Sequence, residues 1–304
     1  MNRPGTIAAA IVAAPGITFL IGDPYLSRIV AKACVFAIAA IAVELLISQC
    51  GLASFGHAAF FAAGGYTAGI LALNGITDAL LAWGAAAGVG MLAGLILGGL
   101  CLRTRGLYFL MITLAFGQMA YLGLQGLRQY GGDDGFRLHR GFTLPFMGEI
   151  GSSGMLSVSA IVLIAIVGLS AYLRRARIGA LVRAARDQPR RLASLGVDAR
   201  PYKLVMFTLS AAITALAGAL NVAQVLYVSP ELSNWFLSGN LLVMVIFGGI
   251  GPLAGPVFGA AAMIGLEEVL AVATERWPFF LGLAVILRVL LWDELKRVVA
   301  PRKA

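Results

Sequence analysis

The alternation of apolar runs and short polar segments along the chain predicts a series of membrane-spanning helices. Apolar runs of about 17–25 residues are long enough to cross the hydrocarbon core of a bilayer as α-helices. Ten such runs occur, and glycine and proline interrupt the third, the eighth and the ninth of them. The runs are 5–21, 29–48, 54–73, 79–100, 106–127, 155–173, 204–226, 236–250, 255–273 and 278–292. The pattern therefore predicts an all-α polytopic membrane protein with about ten transmembrane helices, some of them interrupted.

Composition excludes several classes of protein. Of the 304 residues, 60% are hydrophobic and 12% are charged, whereas soluble proteins carry about 25% charged residues. A soluble enzyme, a disordered protein or a secreted disulfide scaffold would not have this balance. No linker or low-complexity stretch divides the chain, so we expect residues 1–304 to form a single transmembrane domain. Cys34, Cys50 and Cys101 are far apart and are expected to be buried apolar residues.

Basic residues are concentrated in a few loops between the apolar runs. The net charge is +9, and nine of the 23 Lys and Arg residues fall in the 174–203 loop. Loops rich in Lys and Arg stay on the cytoplasmic side, so the charge indicates membrane orientation rather than nucleic-acid binding. Ten spans place Arg103, Arg105, the 174–203 loop and the basic C-terminal tail on one side. Both termini are then cytoplasmic, and the first run, which has no clear cleavage site, is a retained span rather than a signal peptide.

The first half of the 174–203 loop has the pattern of an amphipathic helix. Apolar residues recur at positions i, i+3, i+4 and i+7, which form one face of a helix. Arg183 and Arg186 lie off this face. The apolar residues are Ile178, Leu181, Val182 and Ala185.

A second short helix is predicted in the same loop. Pro189 suits its first turn, Asp187 is expected to cap it, and Gly196 suits its end. Leu192 and Leu195 share one side. Two interpretations remain open for the loop: an interfacial helix held by anionic lipid, or a docking element for a cytoplasmic partner.

The chain has no motif for enzymatic chemistry or nucleotide binding. It has two histidines, His57 and His139, no HExxH or GxSxG sequence, and no lysine in a GxxxxGK[ST] loop. We expect no cofactor and no metal in this chain. If ATP drives the protein, ATP and Mg²⁺ must bind to other subunits.

Two glycine-rich tracts, 51–66 and 248–256, interrupt apolar runs. Irregular backbone at membrane depth is tolerated only inside protein or beside a water-filled cavity. The tracts therefore indicate either a translocation path or hinge, or a place where helices pack closely around a tight turn.

Charged residues within apolar runs are the next candidates, because they are costly in a bilayer and often mark function. Lys32 lies near a span end and can reach the interface, and Glu44 is expected near the cytoplasmic interface. Arg288 could pair with Glu267 or Glu268. A structural ion pair and a proton relay are both compatible with these carboxylates.

The loops predicted on the outer side carry acids beside aromatic residues. Such segments form turns, and they could also contact an external protein. The residues are Asp133, Asp134, Phe136, Glu231 and Trp235.

Seven segments, taken in order, resemble motifs of the LivM-type permease subunits of branched-chain amino-acid ABC importers. They extend over residues 50–260, most of the chain. The segments are 54–61 with 65–66, 105–118, 131–135, 195–203, 217–218, 229–230 and 248–256.

The resemblance implies an ABC importer permease fold in the bacterial inner membrane, forming half of a path for a small solute. The solute would be a branched-chain amino acid or a related urea, amide or aromatic acid. It also implies three kinds of partner: a related second permease, two cytoplasmic ATPase subunits that bind ATP and Mg²⁺, and a periplasmic binding protein.

Residue roles follow from the same resemblance. A coupling helix within 183–196 would dock on the ATPase through Arg183, Ala184, Ala185, Arg186, Pro189, Leu192, Leu195 and Gly196. The translocation path would use Gly56, His57, Phe60, Tyr66, Thr113, Phe116 and Gln118. The outer acids and aromatic residues named above would contact the binding protein.

Two alternatives belong to other classes. A secondary transporter driven by an ion gradient would use Glu44, Glu267 or Glu268 as its ion site. An intramembrane enzyme would need a nucleophile with its base, or a metal set, and the sequence offers neither.

Overall fold

The computed structural model describes residues 23–104, 106–144, 148–273, 279–280, 282–283, 286–288 and 290. The predicted first span, Arg105, the basic C-terminal tail and seven residues of the predicted last span lie outside the described residues.

The described chain is mainly α-helical. Short 3₁₀ turns and two-residue strands occur only in its loops. The helices are α1 (Pro24–Leu45), continued by a π-helix (Leu46–Cys50), α2 (His57–Leu73), α3 (Ala79–Cys101), α4 (Leu107–Gln125), α5 (Ser152–Arg175), α6 (Arg177–Asp187), α7 (Pro189–Ser194), α8 (Arg200–Val225), α9 (Trp235–Gly248) and α10 (Gly255–Ala273). The strands are β1 (Phe136–Arg137), β2 (Thr143–Leu144), β3 (Gly148–Glu149) and β4 (Tyr227–Val228); β1 pairs with β4 and β2 with β3, both antiparallel.

Within the described residues, six helical segments are long and apolar enough to cross a membrane: α1 with its π-helix, α3, α4, α5, α8 and α10. The predicted runs 29–48 through 255–273 coincide with helices to within a few residues. The two predicted runs that give shorter helices are the third and the eighth. α9 has 14 residues, or about 21 Å, less than the roughly 30 Å of a bilayer core. The chain is a multi-pass membrane protein with two shorter helices inside the bundle.

Side-chain caps begin three of the helices. Asp23, Asp78 and Asn234 precede α1, α3 and α9, and each carboxylate or amide oxygen accepts a backbone N–H of the first turn. These bonds satisfy groups that a helix start leaves without a partner.

Helix α8 is the centre of the bundle, because small residues let α2 and α3 approach it closely. A Cβ atom added at Gly64 of α2 would lie well under 3.0 Å from the Ala215 carbonyl of α8, and one at Gly218 equally close to the Phe61 carbonyl. Gly90 and Gly94 of α3 meet α8 in the same way. Glycine at these positions permits backbone contact between membrane helices.

The neighbouring pair on α3, Gly84 and Gly88, behaves differently. Both small-residue pairs of this helix have a spacing that lets membrane helices approach closely. No atom lies within 4 Å of a Cβ added at Gly84 or Gly88, so within the described residues only the Gly90–Gly94 pair is confirmed as a packing position. The spacing is the same, but these two glycines lie on the outward side of α3.

The loops gather on two faces of the bundle. On one face, named here the basic face, a single cavity is lined jointly by the end of the π-helix, the 102–106 turn and the 185–203 segment. On the other, the opposite face, β1 pairs with β4 and Asp78 bridges to Thr143. The predicted grouping of Arg103 with the 174–203 loop is therefore confirmed. The three cysteines are buried and free.

Candidate functional site

The chain between α1 and α2, residues 51–56, has no regular secondary structure and lies at membrane depth. Gly51, in the left-handed region with φ of 67°, ends the π-helix, and residues 51–56 lead into α2 without helical structure. The first turn of α2 contacts Ser210 of α8 and Ser238 of α9. Each serine is ten residues from the end of its helix on the basic face, or about 15 Å. The predicted third span thus consists of an irregular segment, residues 51–56, followed by a helix, α2, that begins near the middle of the bilayer.

Polar side chains of neighbouring helices, and one from the segment itself, accept hydrogen bonds from the backbone N–H groups at this break. The hydroxyl of Ser238 accepts the N–H of Ala58 at 2.8 Å, and that of Ser54 accepts the N–H of Gly56 at 3.1 Å. On the other side, the Thr113 hydroxyl of α4 accepts the N–H of Phe55 at 3.2 Å. Irregular backbone can persist at membrane depth only where such partners replace water.

A small cavity lies where residues 51–56 and the first turn of α2 meet α4 and α8. It has a volume of about 10 Å³, so it is closed in this conformation. Its lining is apolar apart from Thr113 and a cysteine. The lining residues are Gly56, Ala59, Phe60, Leu97, Cys101, Thr113, Phe116, Gly117 and Phe207. Four of the residues predicted for the path, Gly56, Phe60, Thr113 and Phe116, are brought together here.

The other three predicted path residues lie elsewhere. His57 is 1% exposed, and its Nε2 is 2.9 Å from the Ser210 hydroxyl. That hydroxyl donates its proton to the Ala42 carbonyl at 2.7 Å, so Nε2 must be the donor to Ser210. His57 therefore links α2, α8 and α1 behind the cavity. Tyr66 is buried against Phe136, with ring centres 5.9 Å apart, towards the opposite face.

Gln118 lies on α4, partly exposed on the outer surface of the described bundle. It is eleven residues from the start of the helix, or about 16 Å deep. A polar side chain at this depth usually faces another protein chain or a watery cavity rather than lipid.

The α6–α7 segment is joined to the end of α1 by the two arginines that the sequence places off the apolar face of α6. Arg183 donates to Gln49 Oε1 at 2.6 Å and to the Arg174 carbonyl at 2.7 Å. Arg186 donates to the Ser48 carbonyl, and its side chain passes over Gly51, where a Cβ would clash. Both arginines thus contact the π-helix that leads into the cavity segment.

The surface of α6 and α7 that faces away from the bundle forms a shallow concavity. Its volume is about 300 Å³, and it is lined by Ala184, Asp187, Gln188, Arg191, Leu192 and Leu195. Leu195 is 73% exposed and Leu192 only 7%, but both line this one concavity, which agrees with the prediction that they share one side of the helix. Leu192 packs inward, as do Val182 and Ala185 of the predicted apolar face.

The predicted cap of α7 is wrong. Gln188 occupies the N-cap position and no side chain caps the helix. The carboxylate of Asp187 instead accepts a hydrogen bond from Arg186 at 2.8 Å. Because α6 extends through Asp187, this residue is still helical and its side chain is not positioned to cap the next helix.

Each of the three carboxylates considered for an ion site has a partner. Glu44 is fully buried, is paired with Arg174, and accepts the N–H of Gly251 at 3.2 Å. Glu267 pairs with Lys32 at 3.4 Å, and Glu268 accepts the Tyr25 hydroxyl. Lys32, which we expected to reach outward, is thus the cation beside Glu267.

Arg288, which we expected to pair with one of these acids, lies over the Phe247 ring at 5.8 Å. The Gly248–Pro256 tract forms the turn between α9 and α10, and a Cβ at Gly248 would meet the Gly255 carbonyl at well under 3.0 Å. Of the two readings left open for this tract, close packing around a tight turn fits these contacts.

The residues predicted to meet a binding protein lie together on the opposite face, with one exception. Asp133, Asp134 and Glu231 are exposed, and Trp235 is 50% exposed. Pairing of β1 with β4 brings the two loops together. The exception is Phe136, whose ring packs inward against Tyr66 and is therefore not positioned to contact an external protein.

Several residues that build the site were not predicted from sequence. They are Gln49, Phe55, Ser210 and Ser238. Isolated serine and glutamine residues in an apolar run carry no spacing signal, and only the folded contacts identify their partners. Within the described residues, no group of three or more His, Cys, Asp or Glu side chains is positioned to hold a metal ion.

Comparison with known proteins places these features in a family context. A family model described as branched-chain amino acid transport system / permease component matches residues 25–291. No solved structure gives a significant match.

Curated relatives agree with the family model. The high-affinity branched-chain amino acid transport system permease protein LivM of Escherichia coli K12 is 27% identical over 285 residues, and LivM of Salmonella typhimurium gives the same figures. The alignment covers 85% of this chain and 66% of each relative, so the chain spans just under two thirds of their length. The fructose import permease protein FrcC of Rhizobium meliloti is 29% identical over 169 residues, 52% of this chain and 47% of that protein.

Proposed function

Because this chain belongs to the branched-chain amino acid transport system permease component family, we propose that it forms half of the translocation path of an ABC importer. The protein lies in the bacterial inner membrane with its basic face in the cytoplasm. A related second permease supplies the other half of the path. Two ATPase subunits bind ATP and Mg²⁺ at the basic face, and a periplasmic binding protein delivers solute at the opposite face. No covalent chemistry occurs in this chain.

One observation carries the proposal: hydrogen bonds join α6, which belongs to the proposed docking segment α6–α7, to the π-helix that precedes residues 51–56. Arg183 bonds to Gln49 and Arg186 to the Ser48 carbonyl. Both acceptors lie in the π-helix that continues directly into residues 51–56, the last of which, Gly56, lines the closed cavity. A displacement of α6 and α7 by an ATPase would therefore move the wall of the path. Single-turn π-helices are frequent at functional sites, which agrees with a moving joint.

The docking surface in this proposal is the outward concavity of α6 and α7. Leu195 offers its largest exposed apolar side chain, and Ala184 and Arg191 flank it. Arg183, Ala185 and Leu192 contribute from beneath, by holding the two helices in place. Pro189 and Gly196 bound α7.

The substrate proposed first is a branched-chain amino acid. The cavity lining is aliphatic and aromatic apart from Thr113 and Cys101, which suits a hydrocarbon side chain better than a sugar with several hydroxyl groups. The LivM relatives named for branched-chain amino acid transport also cover more of the chain than the fructose permease does.

A secondary transporter driven by an ion gradient is the runner-up and has less support. Its candidate carboxylates, Glu44, Glu267 and Glu268, are each engaged by Arg174, Lys32 or Tyr25. An ion site would need a carboxylate able to exchange its partner for the transported ion.

The coupling link is tested with Arg183→Gln in the complex purified with its ATPase, reconstituted in proteoliposomes. The variant loses the bonds to Gln49 and to the Arg174 carbonyl, so we expect the ATPase to remain bound while uptake per ATP hydrolysed falls several-fold. Arg190→Gln is the matched control, because Arg190 is exposed on the same loop. Unchanged coupling in Arg183→Gln would contradict the proposed transmission through the π-helix.

A further inference from the structure

A second cavity on the basic face lies between the π-helix, the α3–α4 turn, the inward side of α6 and α7, and the α7–α8 turn. Its volume is about 620 Å³. Four cationic side chains and one carboxylate line it. They are Arg103, Arg186, Arg200, Lys203 and Asp198. The concavity of α6 and α7 proposed for ATPase docking is a separate pocket, which shares only Leu192 with this one.

Three of the four cationic side chains take no part in the hydrogen bonds and ion pairs of the described residues. Arg186 is engaged by Asp187 and the Ser48 carbonyl. Within the described residues, the side chains of Arg103, Arg200 and Lys203 make no hydrogen bond or ion pair with another residue. An excess of positive charge on one wall of a cavity costs free energy through mutual repulsion unless an anion or solvent offsets it.

Two helix N-termini also open towards the cavity. Gly106, the N-cap of α4, and Ala199, the N-cap of α8, are both lining residues, and neither helix has a side-chain cap at this end. The helices have 19 and 26 residues. The N-terminal N–H groups and the helix dipole favour an anion at such a position. In the first turn of α8, Asp198 accepts the N–H of Arg200 at 2.9 Å and Pro201 has no N–H, so the first turn of α4 is the main source of N–H groups for an anion.

The cavity is bordered by a surface suited to acyl chains. Leu107 and Tyr108, directly after Gly106, are 78% and 77% exposed on the first turn of α4. Tyrosine is enriched at the membrane interface, where its ring lies at headgroup level. The positive cavity and the apolar first turn therefore adjoin at the level of a lipid headgroup.

We propose that this cavity binds the phosphate group of an anionic phospholipid from the cytoplasmic leaflet, beside the α6–α7 segment. Basic cavities between membrane helices on this side bind phosphate headgroups through Lys and Arg. The bound phosphate interacts with Arg103, Arg200 and Lys203 and with the first turn of α4. It thereby joins the α3–α4 turn to the start of α8.

The test compares two triple variants of the full chain, purified in mild detergent from membranes containing phosphatidylglycerol. The cavity variant carries Arg103→Gln, Arg200→Gln and Lys203→Gln. The control carries Arg175→Gln, Arg177→Gln and Arg190→Gln, which remove the same charge from exposed positions outside the cavity. Native mass spectrometry then measures retained phosphatidylglycerol. We expect the cavity variant to retain at least about tenfold less than the control. Equal retention would overturn the proposal.

A second measurement tests the proposal without the triple cavity variant, in case that variant does not fold. The wild-type chain and the single variant Arg200→Gln are placed in phosphatidylcholine nanodiscs, and the unfolding temperature is followed as phosphatidylglycerol or inorganic phosphate is added. We expect phosphatidylglycerol to raise the unfolding temperature of the wild type more than that of the variant. Equal shifts in both chains, or a shift with inorganic phosphate but none with phosphatidylglycerol, would show that the cavity does not select a lipid.

An acidic segment of a partner protein is the competing occupant. If the cavity variant keeps its phosphatidylglycerol but loses its ATPase, the cavity receives protein rather than lipid, and the proposal is wrong.

Discussion

Single residues at the break before α2 hold the irregular segment, residues 51–56, in position. Thr113 accepts the N–H of Phe55, and Gly56 lies so close to Thr113 that an added Cβ would be 3.2 Å from its carbonyl. Sequence motifs identified both Gly56 and Thr113, because they belong to runs that resemble the family. They did not identify Ser238, and they gave no role to Phe55, although it lies in the same run as Gly56; both roles depend on contacts between distant segments.

Thr113→Val keeps the shape of the side chain and removes the acceptor for Phe55. We expect the initial rate of solute uptake per permease in the membrane to fall several-fold, because a buried N–H is left without a partner at a cost of about 1–3 kcal/mol. Thr67→Val is the control, since the Thr67 hydroxyl bonds only within its own helix, to Ala63. Equal uptake by both variants would mean that Thr113 does not position the cavity wall.

The buried pair of Glu44 and Arg174 makes a second prediction at this scale. Arg174→Met leaves a fully buried carboxylate without its cation, which typically costs about 3–5 kcal/mol. The thermal unfolding temperature of the purified chain should fall clearly. Arg175→Met, at the exposed neighbouring position, should leave it nearly unchanged. A stable Arg174→Met variant would show that Glu44 is neutral or finds another partner.

At the scale of elements, apolar run length was enough to locate the helices, since each described run became one. Length alone did not distinguish full spans from α2 and α9, which are shorter and lie inside the bundle. The glycine and proline interruptions in those two runs were the usable signal. The small-residue pairs on α3 were ambiguous for a different reason: equal spacing fits any face of a helix, and only the approach of α8 distinguishes Gly90 from Gly88.

Gly90→Ala and Gly88→Ala test that distinction within one helix. The added methyl at Gly90 would collide with Ala215 and the Ala211 carbonyl, and overpacking of this kind typically costs about 1–3 kcal/mol. We expect a lower unfolding temperature for Gly90→Ala, and no loss for Gly88→Ala. The reverse order would mean that α3 packs through its other face.

At the scale of the whole molecule, the charge pattern predicted which loops share a face, because the positive-inside rule acts on entire loops. It did not predict that Arg183 and Arg186 bond inward to the π-helix. The spacing of these arginines fits solvent exposure equally well, and their acceptors lie about 135 residues away in sequence. The functional account depends on this long-range link between the basic face and the cavity.

Docking through the outward surface of α7 gives a prediction about assembly. Leu195→Arg should abolish co-purification of the ATPase, since Leu195 is the exposed apolar residue of the concavity. Ser194→Arg, an exposed neighbour that does not line it, should retain the ATPase. Retention by both variants would move the docking surface elsewhere on the basic face.

The most direct measurement is uptake of a radiolabelled branched-chain amino acid by proteoliposomes that contain this chain with its co-purified partner subunits. The binding protein is supplied at the opposite face, and ATP or an ion gradient is provided in turn. The account predicts uptake that requires ATP and the partner subunits and that is insensitive to collapse of the ion gradient. Uptake by this chain alone, driven by a proton or sodium gradient without ATP, would contradict it.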